Sequence, residues 1–137
     1  MKTNFQIEHF RDILFDGRHI DLHNNFKFQD FHYDLDKGQV TLRWIKDAGD
    51  WIVQNELSRV MITHIGVTYF KFLPMLEPVL PEDSQILSEV TFFPSADRQQ
   101  DTHFLDQSKP DQEDDIIYTF IGGQVLRIGC DEATLSI

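Results

Sequence analysis

The stretch Phe26–Ile45, FKFQDFHYDLDKGQVTLRWI, carries the strongest indication of fold class. Phe31, Tyr33 and Leu35 alternate with Asp30, His32, Asp34 and Asp36. After Lys37-Gly38, Val40, Leu42 and Trp44 alternate with Thr41 and Arg43. Successive side chains of an extended chain point to opposite faces, so this alternation marks two strands, each with one buried and one wet face. Asp36-Lys37-Gly38 supplies the turn, with glycine free to take positive φ. Phe26 and Phe28 stand in one phase, and Phe31, Tyr33 and Leu35 in the other. A β-bulge at Gln29-Asp30 accounts for the slip, because one inserted residue reverses the facing of all that follow. The expected core face is Phe31, Tyr33, Val40, Leu42 and Trp44.

Working outward, Arg59–Leu73 is rich in β-prone residues and is divided at Gly66 by a bulge or a bend. Pro74, Pro78 and Pro81 mark an irregular connection, and Ile86–Phe93 reads as another strand. Ile116–Ile121 and Gln124–Cys130, joined by Gly122-Gly123, read as a second hairpin. Ala133, Leu135 and Ile137 add a last short strand.

The first 25 residues support two readings. Thr3 and Gln6 fit a capping box, with Ile7, Phe10 and Leu14 on one helical face that ends at Gly17. Alternatively, Asp16-Gly17 is a hairpin turn between Ile13-Phe15 and Ile20-Leu22. The reading taken is a short N-terminal helix or turn over residues 4–16, then an extended segment from His19. The fold expected is mainly β, an antiparallel sandwich or partly closed barrel of about seven to eight strands. Residues 1–137 form a single domain, long enough to bury a core without disulfide or metal staples.

The formal net charge of −11 repels phosphate backbones, which argues against nucleic-acid binding and is compatible with a basic protein partner. Cys130 is the single cysteine, and the opening residues lack the apolar core of a signal peptide. Uncharged runs such as Val60–Phe70 fall short of the roughly 20 residues a membrane helix needs. No membrane association and a cytoplasmic location are therefore expected. Pro94–Asp115 carries Asp97, Asp101, Asp106, Asp111, Glu113, Asp114 and Asp115 against Arg98 and Lys109, a net charge of −5. It reads as a long, mobile surface loop, and Asp111, Glu113, Asp114 and Asp115 are its candidate partner-binding carboxylates.

Three groups of residues are candidates for chemistry. If the chain is extended, His19, Asp21 and His23 share one face and could ligate zinc or another divalent ion, with His32 as a fourth ligand. Asp30, His32, Asp34 and Asp36 form an acid-base row, but an exposed hairpin face offers little desolvation to tune it for catalysis. The aromatics Tyr33, Trp44, Trp51, Tyr69 and Tyr118 would be interface anchors if any faces outward, and otherwise core. His64 reads as a partly buried hydrogen-bonded residue and Cys130 as a small core hydrophobe. The leading expectation has no catalytic residue and no cofactor.

The FHYDLDKGQVTLRW hairpin, the phrase HIGVTYFKF and the closing IGGQVLRIGCDEA together resemble small all-β bacterial proteins of uncharacterised families. Some of those look like immunity proteins of polymorphic toxin systems. The likeness spans residues 26–137. It implies a non-catalytic protein that binds and neutralises a cognate toxin, and the acidic surface would suit a basic nuclease toxin.

Overall fold

In the computed structural model, which describes residues 1–74 and 80–137, the Phe26–Ile45 stretch is a pair of antiparallel strands. Chain-order numbering makes them β5 (Phe26–Asp34) and β6 (Gln39–Lys46). Their register slips between Phe28 and Asp30, where the bulge was expected, and Gly38 takes φ 60° in the turn. Val40, Leu42 and Trp44 are fully buried, while Phe31 and Tyr33 are half-buried and pack against the core. Leu35 departs from the expected pattern. It lies past the end of β5, in the turn, and is 80% exposed.

The hairpin continues into a five-stranded sheet. β6 pairs with β7 (Arg59–Ile65), which pairs with β12 (Glu132–Ser136), and β12 runs parallel to β1 (Lys2–Thr3). That short contact is parallel, while every other strand pairing described is antiparallel. A four-stranded sheet has the order β8 (Tyr69–Leu73), β11 (Val125–Gly129), β10 (Asp114–Phe120), β9 (Leu87–Pro94). The β10–β11 pair is the expected Gly122-Gly123 hairpin, and Gly66, at φ 68°, sits between β7 and β8. None of the sheets closes into a barrel. Pro78 lies outside the described residues.

The N-terminal helix is replaced by strands. β2 (Gln6–Glu8), β3 (Asp12–Phe15) and β4 (Arg18–Asp21) form a three-stranded sheet with Asp16-Gly17 as a tight turn, at φ 50° and 73°. Ile7, Ile13 and Ile20 are cross-strand partners and are buried together. The period is therefore two, and the helical spacing of Ile7, Phe10 and Leu14 is coincidental. The described residues hold twelve strands, and the excess over seven or eight is in the short β1–β4.

The inner faces of the larger sheets meet through aromatic side chains. Trp44 lies 5.9 Å from Tyr118, Phe28 lies 4.7 Å from Phe120, and Phe31 lies 5.5 Å from Phe70, centroid to centroid. His64 is fully buried in this layer and bonds to Val40 and Tyr118. Cys130 is buried as well, and burial pushes its thiol up to about 12.

The four-stranded sheet is also buried on its outer face, where Phe93, Ile117 and Val125 form a second cluster. Its cover is the acidic segment 95–113. Arg127, on β11, is fully buried and donates to Asp115 Oδ2 (2.8 Å) and to the carbonyls of Pro94 (3.0 Å), Asp97 (3.3 Å) and Gln100 (3.1 Å). Leu105 N–H donates to Thr91 Oγ1, and His103 stacks on Phe93. The segment runs over the surface as a cover that is tied down from beneath by a guanidinium.

Candidate functional site

Each candidate from the sequence has a definite place. His19 is exposed on β4 and contacts Glu8 at 3.1 Å, on the same face as Asp21 as the extended reading required. Asp21 accepts from the backbone N–H and side-chain amide of Asn24. His23 follows β4 in a turn, and its Nδ1 meets the Leu87 carbonyl at 2.5 Å. His32 is exposed on β5, paired with Thr41 of β6, in a different sheet from β4. Among the described residues no group of three or more His, Cys, Asp or Glu side chains is gathered as a metal ion requires. The four proposed ligands are thus not brought together.

The partner-binding carboxylates divide into two pairs. Asp111 and Glu113 are exposed. Asp114 is buried and accepts from Gln107 Nε2 (2.7 Å) and Asp111 N–H (2.8 Å). Asp115 is buried between two guanidinium groups, Arg127 and a bidentate Arg98, whose plane also covers the Tyr69 ring. Carboxylates committed in this way are structural. In the acid-base row, Asp30 forms a bidentate pair with Arg43, which holds its carboxyl below the usual range.

Among the aromatic candidates, Trp44 and Tyr118 are fully buried and Tyr33 and Tyr69 half-buried. Trp51 is 64% exposed. It projects from the loop between β6 and β7, yet it is held in place. Its Nε1–H donates to the Asn24 carbonyl at 3.1 Å, and its ring covers Gly49 so closely that a Cβ there would collide with the indole. The loop is itself tied down, with Asp47 N–H donating to the Asn25 carbonyl and Arg18 to that of Asn55. Val53, on the same loop, is 60% exposed.

Asn24 also borders a hollow of about 490 Å³ with Asp12, Asp21 and Glu89 in its wall, together with His9 and Arg11. Glu89 comes from β9, and Asp12 and Asp21 sit there because β2–β4 alternate. The isoleucines go inward, so Glu8, Asp12 and Asp21, also cross-strand partners, go outward. Crowding is evident at Asp12, whose carboxyl is pushed up by partial burial and then by the Asp21 charge. His9 and Phe10, at φ 52° and 63°, form the turn above the hollow, and the Phe10 carbonyl accepts from Val90 N–H at 2.6 Å. An anchored, exposed indole beside a hollow of incompletely neutralised carboxylates is suited to receive an apolar contact and a cationic side chain side by side.

Reasoning from sequence named Trp51 and Asp21 but missed Glu8, Asp12 and Glu89. The signal was present in Ile7-Glu8, Asp12-Ile13 and Ile20-Asp21, each an apolar residue next to an acid, and it was obscured by reading residues 4–16 as helical. Comparison of the chain with protein-family models, with curated proteins and with solved structures finds no match. Among the described residues no helix is long and apolar enough to cross a membrane.

Proposed function

We propose that this protein is a non-catalytic, immunity-like binding protein on a β-sandwich scaffold, and that its surface around Trp51 engages a basic protein partner. The single observation that carries the reading is the exposure of Trp51 while its ring and its N–H are both fixed. Tryptophan is the residue type most enriched at interface hot spots, and one already held in place loses little entropy on binding. The hollow beside it supplies the electrostatic half. A lysine or arginine placed in the hollow would relieve the repulsion between Asp12 and Asp21, and the net charge of −11 would steer such a partner inward. Asp111 and Glu113 add to that field from the lid over the four-stranded sheet.

Affinity capture from the native host tests the reading. The expected result is a basic protein retained at low salt and released as ionic strength rises. Retention of no protein, or of an acidic protein indifferent to salt, would overturn it.

A further inference from the structure

A second concave site lies between β5 and the four-stranded sheet, built from different residues. It is a cleft of about 310 Å³ walled by Phe28, Phe31, Phe72, Phe120 and Leu126. The bulge at Gln29 creates it, because the inserted residue turns both Phe28 and Phe31 toward the facing sheet. The rings are in contact in two tilted pairs, Phe28 with Phe120 at 43° and Phe31 with Phe72 at 52°, and together they make the aromatic part of the wall. Phe72 remains 41% exposed at its rim.

Gln124 also lines this cleft and is 8% exposed, yet its Oε1 is buried with no hydrogen-bond partner among the described residues. Buried acceptors are almost always satisfied, so an unpaired one in the wall of a cleft points to an absent donor. The last torsion of a glutamine is soft, which lets the amide swing toward a donor that enters. Asp30, the charged residue in the wall, is already neutralised by Arg43. The surroundings therefore favour an uncharged guest.

We propose that the cleft binds a small, neutral, planar aromatic molecule bearing an N–H or O–H donor, with its ring against the phenylalanine wall and its donor on Gln124. The volume is at the low end of cavities that hold small ligands, roughly 300–1,000 Å³. Ring packing against the aromatic wall supplies the contact, and the amide supplies the orientation.

Indole, planar with one N–H, is the probe, titrated into the full chain and followed by NMR, with naphthalene as the ring without a donor. The expected result is saturable shifts confined to Gln124 and the four phenylalanine rings, with affinity on the order of millimolar. Gln124→Leu should weaken indole by about five- to tenfold and leave naphthalene unchanged, the size of one hydrogen bond. Phe72→Ala, at a half-exposed wall position that the core tolerates, should weaken both probes several-fold. Shifts that fail to saturate, shifts elsewhere on the surface, or equal indole affinity in Gln124→Leu and wild type would each overturn the proposal.

Discussion

Tyr118 Oη donates to His64 Nε2 at 2.9 Å, and His64 Nδ1–H donates to the Val40 carbonyl at 2.8 Å, all within the layer between the two larger sheets. A carbonyl only accepts, so Nδ1 carries the proton and Nε2 is free to receive the hydroxyl. This pairing fixes a neutral imidazole. Burial lowers its pKa from 6.5 to about 4, against a smaller opposing effect of the Val40 carbonyl.

A pH dependence follows from that shift. Unfolded, the imidazole takes up its proton near 6.5, and folded only near 4. The stability it confers is complete above pH 6.5 and is lost progressively as pH falls toward 4. The full loss is about 3 kcal/mol. Urea unfolding at several pH values checks this. Wild type should lose stability across the window, and His64→Gln, which does not titrate, should lack this contribution. Tyr118→Phe leaves Nε2 buried and unpaired, and should cost about 1–3 kcal/mol at neutral pH.

Arg127 and Asp115 provide a test of the lid. Asp115→Ala would leave Arg127 buried with only the longer contact to Asp101 (3.4 Å) as a carboxylate partner and would release Arg98. A loss of about 3–5 kcal/mol is expected. Limited proteolysis should then cut between residues 95 and 113, where wild type resists. Equal resistance in the variant would show that the segment is held by something other than this ion cluster.

His9 tests the backbone of the turn above the hollow. It is exposed and sits at φ 52°, where an L side chain is strained and glycine is not. His9→Gly should raise stability by roughly 0.5–1 kcal/mol, since the relief of strain exceeds the extra unfolded-state entropy of glycine. A thermal melt showing a lower midpoint would contradict it.

How much of this was legible depended on whether local signals agreed. Around Gln29 and Gly38 the alternation, the phase slip and the turn residue all pointed the same way, and register and bulge were both readable. In residues 4–16 two local signals conflicted. Burial of Ile7, Ile13 and Ile20 against the rest of the core decided the matter, and that is a tertiary effect. Arg127 was invisible for a related reason. A charged residue in a strand reads as solvent-facing, and only the returning acidic segment makes its burial favourable. The same omission made Asp114 and Asp115 look like free surface charge. At the candidate site, Trp51 was recognisable as an anchor only on condition that it faced outward, and a loop position fixes no facing.

Trp51 is proposed above as the anchor of a protein interface. Its most direct test is the calorimetric affinity of the captured basic partner for wild type and for Trp51→Ala. The indole is exposed and its loop is tied down by other bonds, so the variant should fold with unchanged stability. Binding weakened by about thirtyfold or more is expected, the scale of a hot-spot residue. A partner that binds Trp51→Ala as tightly as wild type would contradict it.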